Sequence, residues 1–229
     1  MYRREYMIKG VIFDFDGLIL DTETYQYEMF KEIFHTHGVE LPFERWIEGI
    51  GTKSDFSLFN YLMEHSLVKL NLEEFKEQFR KDFIEGLKNV DCREGIRDYL
   101  EEASNLGLKI GLASSSNYEW VSMHLKNLDL FDYFSCIKTS DDVEKVKPSP
   151  ELYINTAKCL GLHPIECLVF EDSANGAIAA KRAEMRCVIV PNSITNNMNF
   201  CTVDHRLKSM TDISLNELIK ALQLNDICF

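Results

Sequence analysis

Val11-Ile12-Phe13-Asp14-Phe15-Asp16-Gly17-Leu18-Ile19-Leu20-Asp21-Thr22-Glu23 is the stretch from which the rest of the chain is read. Its first three residues are β-branched or aromatic and suit a strand buried on both faces. Asp14-Phe15-Asp16-Gly17 then stops that strand at a polar turn. Three similar runs follow, at residues 109–113, 168–170 and 187–190. Each is preceded by a helical pattern. Residues 96–106 form one, closed by Gly107. Residues 151–160 form another, entered through Pro150 and closed by Gly161. Residues 175–183, rich in Ala, form a third. Alternating strands and helices predict an α/β fold with a Rossmann-like, doubly wound parallel sheet.

Residues 22–90 break the alternation and read as helical throughout. Tyr25, Met29, Phe30, Ile33 and Phe34 share one face of a helix over 22–37, and residues 56–63 and 72–87 repeat the amphipathic spacing. Between them, Gly49-Ile50-Gly51-Thr52-Lys53-Ser54 is a glycine-punctuated loop. The expected division is an α/β core of residues 1–20 and 92–229 with an inserted helical cap of residues 21–91.

The chain has 229 residues, of which 45% are hydrophobic, enough to bury a core without disulfide or structural metal. Its 25 Lys+Arg against 37 Asp+Glu give a formal charge of −12. That balance argues against a nucleic-acid partner but leaves room for a small anionic one, because a local pocket can oppose the global charge. No apolar run reaches the roughly 18 residues of a membrane span. Asp14 and Asp16 fall inside the first apolar stretch, which excludes a signal peptide. The seven cysteines include no C-x-x-C pair, so they are expected to be reduced, buried thiols of a cytoplasmic protein.

In open α/β sheets, ligands bind beyond the carboxyl ends of the strands. Those ends carry Asp14 and Asp16, then Ser114, Ser115 and Ser116, then Glu171 and Asp172, with Lys147 ahead of the helix at Pro150. Clustered carboxylates repel one another unless a cation binds them, and oxygen-only ligands favour Mg²⁺ over zinc or copper. A hydroxyl and an ammonium beside them suit phosphoryl oxygens.

These residues carry a resemblance. The stretch from Asp14 to Glu23 resembles the first motif of the haloacid dehalogenase superfamily. Leu112-Ala113-Ser114 is similar to the second motif, Lys147-Pro148 to the third and Glu171-Asp172-Ser173 to the fourth. The helical insert resembles the cap of the β-phosphoglucomutase-like branch. The resemblance implies a Mg²⁺-dependent phosphatase acting on a small phosphorylated metabolite through an aspartyl-phosphate. Asp14 would be the nucleophile and Asp16 the acid and base. Ser114 and Lys147 would hold the phosphoryl group, with Ser115 adding a contact. Asp14, Asp172, the backbone carbonyl of Asp16 and Glu171, directly or one shell out, would hold the metal.

Gly49, Gly51, Thr52 and Lys53 resemble a substrate loop. Mutases of that branch carry a histidine five residues after the last motif-one Asp, whereas Asp21 is followed at that spacing by Gln26. Gln cannot relay a proton as His does, so hydrolysis is expected over phosphomutase chemistry. Asp16 speaks against a dehalogenase. The helical insert and the first-strand Asp14 speak against a phospho-acceptor receiver domain. Trp46 and Phe56 are expected in the cap's core. A monomer is the default expectation, since the cap already covers the polar edge.

Overall fold

The computed structural model describes residues 7–225 except 54, 69 and 70. Ser54, Cys228 and the outer ends of the expected core lie outside the described residues. Six parallel strands form one sheet: β1 (Gly10–Phe13), β2 (Lys109–Ala113), β3 (Cys136–Lys138), β4 (Cys167–Glu171), β5 (Arg186–Ile189) and β6 (His205–Arg206). Their order is β3-β2-β1-β4-β5-β6. The chain steps outward from β1 through β2 to β3, then returns to β4 on the other flank. The reversal makes β1 and β4 the switch point at which such sheets bind ligands.

Alternation along β1 divides the core. Val11 and Phe13 face the cluster that includes Tyr99 and Leu100 of α5 (Ile96–Asn105) and Leu218 of α9 (Leu215–Asn225). Ile12 faces the cluster of Tyr153 and Ala157 from α7 (Glu151–Leu160) and Ala177 and Ala180 from α8 (Ala174–Arg182). Both faces of the sheet are covered, which explains why the strands read as continuous apolar runs.

Between β1 and α5 lie α1 (Thr22–Thr36), α2 (Phe43–Ile47), α3 (Leu58–His65) and α4 (Leu72–Leu87). Helix α4 packs on α1 and α3. Phe30 stacks on Phe79 with ring centroids 4.4 Å apart, and Phe59 closes on both rings edge-on. Asp21 caps α1 by accepting from the Thr24 N–H, and Asn71 caps α4.

Besides α9, three elements have no counterpart in the sequence reading. The strands β3 and β6 are edge strands of three and two residues, too short for a period to register. Helix α6 (Tyr118–Asn127) follows an Asn117 cap that the serine run before it hides.

One expectation is corrected. Cys136 and Cys159 are not separate reduced thiols but form a disulfide. Helix α7 packs across β3 and brings their Cα atoms to 6.2 Å, a pairing over 23 residues of sequence that no short spacing announces. Cys92, Cys167, Cys187 and Cys201 are free, but only Cys167 and Cys187 are buried as expected; Cys92 is half-buried and Cys201 exposed. Among the described residues, no helix is long and apolar enough to cross a membrane.

Candidate active site

The parallel register puts every strand's polar end at the same pole. Asp14 follows β1, and its backbone N–H donates to the Phe170 carbonyl at 3.0 Å. Ser114 follows β2 and is tied to the Lys138 carbonyl of β3 at 2.9 Å. Glu171 ends β4, and Asp172 comes next. The expected residues Asp14, Ser114, Lys147, Glu171 and Asp172 all converge here and are all buried.

Lys147 is the hub. Its ammonium donates to Asp14 Oδ1 and, at 2.6 Å, to Glu171 Oε1. Glu171 is fully occupied by protein donors. Oε1 also accepts from the Tyr153 hydroxyl at 2.6 Å, and Oε2 accepts from the Asp172 and Ser173 N–H groups and the Ser173 hydroxyl. Gly176, in the first turn of α8, makes this possible: a Cβ there would lie 1.7 Å from Glu171 Oε1. Asp172 is held differently. Its Oδ2 accepts from Asn192 Nδ2 at 3.0 Å, while its buried Oδ1 has no hydrogen-bond partner. Carboxylate oxygens of Asp14, Glu171 and Asp172 lie within 4.8 Å of one another. An orphaned buried oxygen in an all-oxygen, net-negative cluster fits a hard divalent cation. With Glu171 fully occupied, the spare carboxylate lone pairs belong to Asp14 and Asp172.

Burial pushes the carboxyls of Asp14 and Asp172 well above the usual carboxylate range. Lys147 draws Asp14 back, and neighbouring carboxylates push both further up. Glu23, buried beside Asp172 and accepting from Asn192 Nδ2 at 3.0 Å, is pushed up to about 8, chiefly by burial. Burial works against the Lys147 ammonium too, but Asp14 and Glu171 together outweigh it and the net shift is upward.

A stability prediction follows from these signs. Acids with raised folded values bind protons more tightly folded than unfolded. Their stabilising contribution is complete below the unfolded carboxylate range near about pH 4 and is lost as pH climbs through the folded values. Without divalent cations, the thermal midpoint should fall from about pH 5 to about pH 8.5, and saturating Mg²⁺ should flatten the fall. A metal-free midpoint that rises over this interval would contradict the assignment.

Above the cluster lies a cavity of about 770 Å³. Asp14, Asp16, Ser114, Ser115 and Ser116 form its floor. Gln26, Gly51, Thr52 and Lys53 line it from the insert, together with Arg45 and Arg80. Asp16 is gripped by three donors: Thr22 Oγ1 at 3.0 Å, Trp120 Nε1 at 2.9 Å and Ser116 Oγ at 2.6 Å. The glycine loop is docked on the sheet edge. Ser115 Oγ donates to the Gly51 carbonyl at 3.0 Å, Asn175 Nδ2 to the Ile50 carbonyl at 2.9 Å, and Thr52 Oγ1 to the Lys147 carbonyl.

Sequence reasoning missed Asn192, Arg45, Arg80 and Trp120. Asn192 lies just past the carboxyl end of β5, so the rule that found Asp14 applied there too. Trp46 and Phe56 were expected in the core of the insert. Both pack against it and both also line the cavity, Trp46 from α2 and Phe56 from the segment just ahead of α3.

The sequence pattern of haloacid dehalogenase-like hydrolases matches residues 11–190. The chain belongs to the haloacid dehalogenase-like hydrolase family. A Bacillus subtilis (strain 168) protein provisionally named phosphatase YhcW is 55% identical over 94% of this chain and 98% of its own. The phosphorylated carbohydrates phosphatase of Thermotoga maritima is 33% identical over 77% of this chain and 82% of its own. A crystal structure from Thermotoga maritima, provisionally titled a β-phosphoglucomutase, superposes with a TM-score of 0.74 at 26% identity. It covers 94% of this chain and 99% of its own. This haloacid dehalogenase-like hydrolase is therefore an enzyme of the β-phosphoglucomutase-like branch whose named relatives include phosphatases.

Proposed function

We propose that the enzyme hydrolyses a small phosphorylated metabolite, a sugar phosphate or similar phosphomonoester, through an aspartyl-phosphate at Asp14. The observation that carries this reading is the buried Asp14–Lys147–Glu171 cluster with the orphaned Asp172 oxygen beneath a cavity of metabolite size. The named activity of the Thermotoga maritima relative on phosphorylated carbohydrates supports the substrate class.

Mg²⁺ would be held by Asp14, Asp172 and the backbone carbonyl of Asp16, with Glu171 behind them, and would neutralise phosphoryl charge. The remaining chemistry belongs to the side chains. Lys147 keeps the Asp14 carboxylate oriented and, with Ser114, meets the phosphoryl oxygens. Asp14 attacks phosphorus. Asp16 gives a proton to the departing oxygen and later takes one from the attacking water. Residues 21–91 act as a cap whose docked loop excludes bulk water and presents Gln26, Thr52 and Lys53 to the substrate.

Loop docking yields a prediction. Gly51 has φ of +74°, and a Cβ there would lie 2.3 Å from Ser173 Oγ. A left-handed non-glycine residue costs about 1–2 kcal/mol, so Gly51→Ala should lower kcat/KM about tenfold or more. The thermal midpoint should barely move, because the loop adds little to the core. Equal losses of activity and stability would show that the loop is structural instead.

The reading itself is tested by phosphate release from a panel of phosphorylated metabolites with and without Mg²⁺. Glucose 1-phosphate plus a trace of the bisphosphate is included. Metal-dependent multiple turnover on one compound class is the expected result. Isomerisation without net release would establish the phosphomutase alternative and overturn the argument from Gln26.

A further inference from the structure

We propose that Trp120 is the positioning residue for Asp16: its indole N–H commits Oδ1 to accepting, so the transferred proton is carried on Oδ2. This rests on the acid–base role proposed for Asp16 above.

Asp16 Oδ1 accepts from Thr22 Oγ1 and Trp120 Nε1, and Oδ2 accepts from Ser116 Oγ. The two hydroxyls can each turn round and accept instead. The indole nitrogen can only donate. A proton on Oδ1 would turn that oxygen into a poor acceptor and weaken the bond it receives from the Trp120 N–H, which has no other role to take. A proton on Oδ2 needs only the Ser116 hydroxyl to reverse. The three contacts together therefore distinguish the two oxygens, although a lone carboxyl has no such preference.

The indole is fixed well enough to enforce this. Its backbone N–H is taken by Asn117 Oδ1 at 2.9 Å, which anchors the first turn of α6. One ring face lies on Phe83 of α4, centroids 5.6 Å apart and planes within 7° of parallel. His124, one turn along α6, meets it edge-on at 4.2 Å. Phe83 belongs to the insert, so the clamp on Trp120 is completed only while the insert lies against the sheet edge.

In the phosphorylation step, an Asp14 oxygen forms a bond to phosphorus as the bond from phosphorus to the ester oxygen breaks. That bond's electron pair stays on the ester oxygen, which receives the proton from Asp16 Oδ2. Asp16 is left as a carboxylate with both oxygens accepting, the state drawn by the three contacts.

The test is Trp120→Phe, which keeps an aromatic ring for Phe83 and removes the N–H together with part of the indole's volume. Phosphoryl-enzyme formation is followed by rapid acid quench with two substrates. One is 4-nitrophenyl phosphate, whose leaving group departs without protonation. The other is β-glycerol phosphate, an alkyl ester that needs the proton. The variant should match the wild type on the nitrophenyl ester, which also certifies its fold. It should be slower by about tenfold or more on the alkyl ester, a modest share of what a general acid supplies. Equal rates on both esters, or equal losses on both, would overturn the role of Trp120. Failure of the wild type to form a phosphoryl-enzyme with either ester would instead overturn the underlying reading of Asp14 and Asp16.

Discussion

Asp14→Asn should cut phosphate release by about 10⁴-fold or more and leave the protein folded. The carboxylate is the only one of the cluster that both faces the cavity and contacts Lys147. Asn keeps the shape and one acceptor for the ammonium, but the amide is a poor nucleophile. Stability should hold or rise in the absence of divalent cation, since a buried carboxylate with a raised pKa is removed from beside Glu171 and Asp172. Circular dichroism and a thermal scan check the fold, and single-turnover phosphate release checks the chemistry. A folded variant with near-normal turnover would remove Asp14 from the nucleophile's role.

Lys147→Met should be the most destabilising single change at the site. The ammonium is 1% exposed and bridges two carboxylates that are 7% and 0% exposed. Met fills a similar volume but leaves Asp14 and Glu171 buried without a counter-charge. Breaking one side of a buried ion pair costs about 3–5 kcal/mol. The urea midpoint should fall with an unchanged slope, as expected when the loss is energetic and not a change in the unfolded chain. Adding Glu171→Gln to Lys147→Met should recover part of the loss, because one of the stranded charges is gone. Activity should vanish with the first substitution and stay absent in the pair. A Lys147→Met variant as stable as the parent would mean that the carboxylates find another partner.

The strands of the sheet's centre were legible because they are apolar on both faces, and their ends were legible because polar residues there have no structural excuse. Asp14, Ser114 and Asp172 fall under that single rule. Lys147 was read only from its place ahead of the helix at Pro150: nothing in Val146-Lys147-Pro148 says that the lysine turns inward to meet a residue 133 positions earlier in the chain. Trp120 was hidden for a related reason. It lies on the inner side of a helix the sequence did not announce, and its partner Phe83 comes from another segment altogether. The Cys136–Cys159 bond likewise depends on which strand α7 crosses, a fact of topology and not of spacing. Residues whose meaning is local were read from the chain; those defined by a meeting of distant segments were not.

The walls of the cavity are charged by origin. Arg45, Lys53 and Arg80 come from the insert, whose acidic lining residue, Glu23, is held toward its neutral form by burial, whereas Asp14, Asp16 and Asp141 come from the sheet edge. The cleft is in effect a small capacitor, with a positive upper plate and a negative lower one. Parting the plates does electrical work, and that work grows as the surrounding electrolyte is diluted, because the screening distance lengthens from about 10 Å at 0.1 M to about 30 Å at 0.01 M. Dissolved salt therefore eases the parting of these two surfaces, without touching any of the three uncharged hydrogen bonds that pin the glycine loop.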